Sequence, residues 1–256
     1  CGAPLCAIFR NEDVRSGDYD DLKNIPRPGH SDYTAFMKTK GSNDIRGGGH
    51  HSARLTAPLV FAGALCAQLL EKEGIYLGAH IHSIGSVQDR PFDPVGTAPA
   101  DFKALALSDF PVLDAGAGKC MEGLILEAVA EKDSVGGVVE CCVLGLPPGL
   151  GEPIFEGLEN RIATAVFGIP AVKGIEFGDG FGAAKARGSL NNDGFFFENG
   201  QVRTKTNHNG GILGGLASGM PLIFRVAFKP TPSIGQPQES VDLSAEIGRA
   251  SCRERV

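Results

Sequence analysis

Hydrophobic residues recur along the chain with spacings that predict alternating helices and strands. The clearest set is spaced by four and three positions and consists of Leu55, Leu59, Ala62, Cys66 and Leu69. This spacing predicts one apolar face of a helix that ends at Gly74. Because Pro58 has no N–H to donate to the carbonyl of Arg54, the regular helix should begin near Thr56.

The remaining apolar segments predict the rest of the secondary structure. Strands are predicted over 75–84, 135–146, 172–177 and 222–228. Helices are predicted over 114–131 and 155–167, with a short helix near Ala183. The Pro- and Gly-rich stretch 147–153 must be a loop, and 191–201 is a polar, hairpin-like insertion or a solvated loop. Since the sequence contains no internal repeat and no low-complexity linker, we expect a single domain over 1–245.

Composition and charge narrow the function classes. The chain has 256 residues and a formal net charge of −6, which argues against a nucleic-acid binder with a broad basic face but leaves small anionic ligands open. Lys, Glu, Asp or Pro interrupts every apolar stretch before about 18 residues, so we expect no membrane span. The 7 Cys include no Cys-x-x-Cys pair, which favours a reduced, cytoplasmic compartment without disulfides or a zinc site.

Both ends of the sequence suggest a piece of a longer protein. The chain opens at Cys1 without an initiator Met and without the pattern of a signal peptide. Residues 246–256 match one reading frame of a common sequencing adapter, so we predict a non-native tail and assign it no element. A genuine basic C-terminal tail is the alternative.

A glycine-rich segment, RGGGHHSAR at 46–54, is the first candidate for chemistry. Ser52 is a plausible helix N-cap, and the free N–H groups of a helix N-terminus attract anions. Arg46 and Arg54 at the two ends favour an anion site, although the segment lacks the Gly-Lys-Ser/Thr of a Walker A loop. A flexible turn capped by Ser52 is the alternative.

Three histidines are candidates for proton transfer or metal binding. His30 follows a Pro-Gly turn between Arg27 and Asp32 and could donate a proton near neutral pH, or be an ordinary surface histidine. His80 and His82 alternate on a predicted strand as metal ligands can. No third ligand stands at a useful spacing, so we interpret them as structural and predict no metal site.

Two further glycine-rich segments are candidates for binding a nucleotide or a phosphate. The run 178–183 mimics the Gly-x-Gly-x-x-Ala fingerprint of dinucleotide-binding proteins, but the helix after it runs into a polar loop rather than back to a buried strand. Farther along, polar groups at Asn207, Lys229, Thr231 and Ser233 could hold a phosphate or the edge of a heterocycle. A plain β-turn region is equally compatible with that spacing.

Eight motifs, taken together and in order, resemble the chorismate synthase family over residues 1–245. They are RNED (10–13), RPGHSDY (27–33), RGGG (46–49), VGGVVE (135–140), PPGLGEP (147–153), AVKG (171–174), NGGILGG (209–215) and KPTPS (229–233). The Ser-His-Gly and Arg-His-Asp-Pro motifs near the ends of the family are absent, so the resemblance indicates a central section of the enzyme.

The resemblance implies an α+β fold, a β-α-β sandwich of helices between antiparallel sheets, in a homotetramer. It implies elimination of phosphate from 5-enolpyruvylshikimate 3-phosphate, in the anti-1,4 sense, to give chorismate. Reduced FMN (FMNH2) is required without net redox change. His30 would be a catalytic acid, and Arg27 and Arg54 would bind the substrate anions. It leaves open whether the enzyme reduces its own flavin with NADP.

The resemblance also implies FMN contacts at His50, His51, Ser52, Pro170, Ala171, Gly214, Lys229, Pro230, Thr231, Pro232 and Ser233. Many family members have Arg-Ser-Ser where this chain has His50 to Ser52, so a permanent cation is missing there. The alternatives are a non-catalytic nucleotide-binding module built around 178–183 and an inactive fragment.

Overall fold

The computed structural model describes residues 2–10, 24–244 and 247–252; for Gly47, Gly48 and 247–252 only the backbone is considered. Residues 11–13 of the first family motif, and residues 246 and 253–256 of the expected tail, lie outside this description. The chain forms two compact units, and the single domain over 1–245 stays a prediction. The first comprises Cys1–Ala64, Ala128–Ser134 and Thr231–Val256, and the second comprises Leu65–Glu127 and Val135–Pro230.

Helices and strands alternate, as the hydrophobic pattern predicts. The helices are α1 (Asp32–Thr39), α2 (Thr56–Lys72), α3 (Pro99–Ala106), α4 (Ala115–Ala130), α5 (Leu158–Phe167) and α6 (Gly188–Asn191). Short 3-10 helices cover Arg46–His51, Ala53–Leu55, Ile154–Glu156 and Gly180–Lys185. The strands are β1 (Tyr76–Ile84), β2 (Val87–Gln88), β3 (Gly137–Leu144), β4 (Val172–Phe177), β5 (Phe195–Glu198), β6 (Gln201–Thr204), β7 (Ile212–Leu213), β8 (Leu216–Ala217), β9 (Leu222–Phe228), β10 (Gln238–Asp242) and β11 (Ile247–Cys252).

The second unit is built on a five-stranded sheet with the order β2-β1-β3-β9-β4. Every pairing in this sheet is antiparallel. A dinucleotide-binding unit requires parallel neighbours, so the 178–183 run is not part of one. One face of the sheet carries an apolar cluster made of Phe92, Phe102, Leu105, Cys142, Leu144 and Ile223.

Helix α2 begins at Thr56 and ends before Gly74, as predicted. Its predicted apolar face is largely uncovered, since Leu55, Leu59 and Leu69 are all at least half exposed. The segment Ala53–Lys72 is also long and apolar enough to cross a membrane by length and composition, with a mean hydropathy of 1.5 and none of the window buried. Our expectation that no segment reaches this length is wrong for this helix. Core helices of soluble proteins pass the same test.

Several segments that the hydrophobic pattern does not predict as strands form short strands. A hairpin of β5 and β6 begins in the 191–201 insertion and extends to Thr204. Its strands are joined by Asn199 and Gly200, which both have positive φ and so form a tight turn. Residues 247–252, to which we assigned no element, pair antiparallel with β10. The origin of the 246–256 tail stays a prediction.

Candidate active site

The first unit brings His30 and Ser233 together from distant parts of the chain. The Ser233 hydroxyl Oγ lies 3.4 Å from Nε2 of His30. The segment that carries Ser233 is hydrogen-bonded to two other segments: the Ser134 hydroxyl donates to the Thr231 carbonyl at 2.7 Å, and the Ser240 hydroxyl donates to the Pro26 carbonyl. Two motifs that are 203 residues apart therefore meet at one histidine.

Arg27 is held by Asp32 at the start of α1. The Asp32 carboxylate accepts hydrogen bonds from the Arg27 backbone N–H at 3.0 Å, from Nε at 2.8 Å and from Nη2 at 3.1 Å. Partial burial raises the pKa of Asp32, but these hydrogen bonds and the guanidinium charge outweigh it and hold the pKa below 3.8. The pair fixes the turn that carries His30, and it compensates part of the positive charge of Arg27.

The glycine-rich segment is more ordered than a flexible turn. Residues Arg46–His51 form a 3-10 helix, and Ser52 caps the following 3-10 turn by accepting a hydrogen bond from the Arg54 N–H at 3.3 Å. The predicted cap is thus confirmed. His50, His51 and Arg54 are exposed. Arg46 pairs with Asp44 at 2.6 Å, so the two arginines that favoured an anion site are not equivalent.

The second unit holds two of the expected flavin contacts side by side. Ala171, which follows Pro170, has a φ of 72°, a conformation that is strained for a residue with a Cβ. The Ala171 carbonyl accepts a hydrogen bond from the Lys229 N–H at 3.0 Å, just before Pro230. Gly214 lies in the turn between β7 and β8, and a Cβ added there meets nothing within 4 Å. The backbone is therefore strained at Ala171, whereas the space beside the backbone at Gly214 is unoccupied by other described atoms.

Asn207 is not available for a ligand. Its side chain is 6% exposed. The amide nitrogen donates to the carbonyls of Pro94 and Pro221 at 2.9 and 2.8 Å, and the amide oxygen accepts from the Gly211 N–H at 2.8 Å. The interpretation of Asn207 as a phosphate contact is wrong, because all three contacts anchor the loop before β7.

A row of charged side chains crosses the sheet of the second unit, and sequence reasoning missed it. His80, Glu140, Arg225 and Glu176 are direct partners on β1, β3, β9 and β4. His80 Nε2 lies 3.0 Å from Glu140, Arg225 Nε lies 2.9 Å from Glu140, and Arg225 Nη1 lies 3.0 Å from Glu176. Asp89 closes the row at the other nitrogen of His80, also at 3.0 Å.

The polar groups at the buried centre of this row all have hydrogen-bond partners. Burial raises the pKa of Glu140, but hydrogen bonds from His80, the Phe92 N–H and Arg225 outweigh it and hold the pKa below 4.5. His82 is different: burial lowers its pKa, and its Nδ1 has no hydrogen-bond partner among the described residues. A single charged residue inside each apolar strand, at Glu140 and Arg225, is the signal that could have revealed the row.

The comparisons with known proteins agree with the geometry. The profile of the chorismate synthase family matches residues 1–255. The chorismate synthase of Lancefieldella parvula is 46% identical over 252 residues, and that of Thermococcus kodakarensis is 49% identical over 243. The alignments cover 94% of this chain and 66% of each relative, so the chain spans slightly less than two thirds of their length.

A solved structure supports the same assignment. A crystal structure of chorismate synthase is similar with a TM-score of 0.70 and 31% identity, over 79% of this chain and 63% of that one. The predicted α+β class is thereby confirmed, with helices and antiparallel sheets in one chain. By sequence profile, by identity and by fold, this chain belongs to the chorismate synthase family.

Proposed function

We propose that the chain is the central part of a cytoplasmic, homotetrameric chorismate synthase. The enzyme would eliminate phosphate from 5-enolpyruvylshikimate 3-phosphate, in the anti-1,4 sense, and release chorismate. Family membership supports the reaction. The observation that carries it is the 3.4 Å approach of Ser233 to His30, because it joins the two motifs that the family resemblance assigns to acid catalysis and to the flavin.

The cations of the first unit support an anionic substrate. The substrate has one phosphate and two carboxylates, and arginine binds such oxyanions through its planar fork. Arg54 is exposed on the turn just before α2, where the Ser52 cap fixes its backbone. Arg27 would contribute from the His30 turn, with an orientation set by Asp32.

The residues of the second unit fit a flavin. The strained Ala171, the Lys229 backbone bonded to it and the open Gly214 turn offer backbone at close range to a flat ligand. Pro170 and Pro230 flank two of these positions. In the first unit, the family resemblance assigns further FMN contacts to Thr231, Pro232, His50 and His51. Reduced FMN would supply an electron-rich ring beside the substrate, without net redox change.

His30 would act as the acid of the reaction. A histidine titrates near neutral pH, and so can hold a proton for the departing phosphate. Ser233 at Nε2 would hold the ring in one orientation. Arg27, Arg54 and His30 would together stabilise the negative charge that develops on the phosphate oxygen as the C–O bond breaks.

The test is His30→Ala in the full-length gene product that contains this chain. We expect chorismate formation to fall by about 100-fold or more while FMN binding is retained, since general acids contribute about 10²–10⁴-fold. The matched control is His208→Ala, because His208 pairs with Asp179 outside the proposed site. Unchanged turnover in His30→Ala would remove His30 from the mechanism. Binding of NAD without FMN would refute the proposal as a whole and favour a nucleotide-binding module.

A further inference from the structure

Three potential metal ligands converge on one face of the sheet, at a place that takes no part in the proposed reaction. His80 and His82 lie on β1, and Glu140 lies opposite His80 on β3. One ligand atom from each of the three residues lies within 4.8 Å of the others. The third ligand is separated from His80 by 60 residues and is supplied by strand pairing.

We propose that His80, His82 and Glu140 form a binding site for a divalent transition-metal ion of the Zn²⁺ class. Two imidazoles and one carboxylate are a donor set that Zn²⁺ accepts in proteins, with a further position for water. The ion would link β1 to β3. None of these three residues is among the proposed flavin and substrate contacts, so a failure of the metal site would not be a failure of the proposed reaction.

The geometry of His80 and Glu140 already matches that of adjacent metal ligands. Bonds of about 2.0–2.2 Å at a tetrahedral angle place two ligand atoms about 3.3 Å apart, and His80 Nε2 lies 3.0 Å from Glu140 Oε2. The ion would replace the proton shared by these two atoms and release it to solvent. The 4.8 Å outer limit means that the third ligand must approach by up to about 1.5 Å.

The surroundings of His80 are those of a metal-bound histidine. Its Nδ1 lies 3.0 Å from Asp89 Oδ2, and Asp89 is itself fixed by the N–H groups of Leu113 and Asp114 at 2.5 and 2.9 Å. A carboxylate at one ring nitrogen sets the tautomer and directs the other nitrogen to the ion. Asp89 therefore leaves Nε2 as the ligand atom.

His82 provides a second observation in favour of a metal site, independent of the distances between the ligand atoms. Its Nδ1 is shielded from solvent and has no hydrogen-bond partner among the described residues. A buried polar atom without a partner destabilises the fold, and metal coordination removes that cost. His80 and Glu140 are each satisfied without an ion. His82 is the member of the site that an ion would complete.

Glu140 also limits the chemistry of the site. Arg225 holds Oε1 at 2.9 Å and the Phe92 N–H holds Oε2 at 2.6 Å. The carboxylate would thus bind an ion through Oε2 alone, because the guanidinium occupies Oε1. One carboxylate oxygen and two imidazoles favour Zn²⁺ or Co²⁺ over Ca²⁺ or Mg²⁺, which require several oxygen ligands.

The test titrates Co²⁺ into the purified, tag-free chain and follows its visible absorption, with Zn²⁺ added afterwards as a competitor. We expect one Co²⁺ per chain, displaced by Zn²⁺. His82→Ala and His82→Gln should weaken binding by more than about 100-fold, because each removes a direct ligand. His208→Ala, which removes a partly exposed histidine paired with Asp179, should bind as tightly as the unaltered chain.

Two results would overturn the site. One is the absence of one-to-one Co²⁺ absorption in the unaltered chain. The other is equal affinity in the His82 variants and the unaltered chain, since the ion would then be held elsewhere. Circular dichroism of both variants tests whether they fold. His82 is half-buried and lies outside the charged row, so in a folded variant a loss of binding reports the loss of the His82 imidazole as a ligand.

Discussion

The charged row predicts that Glu140→Gln destabilises the second unit even though it preserves the shape of the side chain. Glu140 is fully buried. The Phe92 N–H donates to Oε2 at 2.6 Å, and Arg225 Nε donates to Oε1 at 2.9 Å. A glutamine must place its NH₂ group at one of these two positions. Either placement sets an N–H group against another N–H group and leaves Arg225 without its buried counter-charge.

The expected loss is about 3–5 kcal/mol in the free energy of unfolding, which is typical of removing one partner from a buried ion pair. Urea unfolding followed by far-UV circular dichroism, in the presence of EDTA, measures it. With a slope of about 3 kcal/mol per M urea, the midpoint should fall by about 1–1.7 M. Glu176→Gln is the matched control, since Glu176 meets the same Arg225 at 3.0 Å but is 28% exposed. It should cost about 0–1 kcal/mol.

The same substitution should change the pH dependence of stability. The folded pKa of Glu140 lies below 4.5, its unfolded value. Its contribution is therefore present above pH 4.5 and is lost as the pH falls through the folded pKa. The difference in stability between the unaltered chain and Glu140→Gln should shrink in acid. A loss below about 1 kcal/mol at pH 7, or one equal to that of the Glu176 variant, would refute the reasoning.

Three further predictions concern packing. Gly178→Ala should destabilise the chain by more than about 2 kcal/mol, since the new Cβ lies 2.0 Å from a backbone oxygen. Gly200→Ala is the control: Gly200 also has positive φ, but nothing lies within 4 Å of the new Cβ, so the loss should be about 1–2 kcal/mol. Equal urea midpoints of the two variants would contradict this. Asn207→Asp turns an amide that donates to two carbonyls into a carboxylate that repels them, and thermal unfolding should show a loss of about 2–4 kcal/mol. Burial raises the pKa of Cys141 to about 12, so at pH 8 iodoacetamide should alkylate the exposed Cys66 before Cys141. Peptide mass spectrometry measures the two alkylation rates, and equal rates would refute the burial of the Cys141 thiol.

Hydrophobic spacing predicted most of the long elements, because their apolar faces repeat often enough to define a period. The ends of α2, β4 and β9 agree with the pattern to within a residue or two. Helices α1 and α3 were missed, because each has only 8 residues and one or two buried positions. The division into two compact units has no local signal in the sequence, because the first unit is assembled from three separate segments of the chain.

Candidate residues were predictable where a motif is local and unpredictable where pairing brings distant residues together. The Ser52 cap and the Arg27 turn depend on neighbours within five residues, and the sequence shows both. Asn207 was misread because its partners, Pro94 and Pro221, are 113 and 14 residues away. Nothing in the local sequence distinguishes a ligand-binding amide from one that anchors a loop.

The same limit explains why the sequence alone favours a structural interpretation of His80 and His82. Their alternation on β1 was visible, and so was the isolated acid at Glu140 in an apolar strand. The missing information was register: β1 pairs with β3 so that His80 stands opposite Glu140, and a shift of one residue would turn Glu140 to the other face. The irregularity between Ile81 and Ser83 in that pairing falls at His82. A bulge re-aims a side chain at a point where the ladder is interrupted, and His82 is the residue whose ring nitrogen is left buried without a partner.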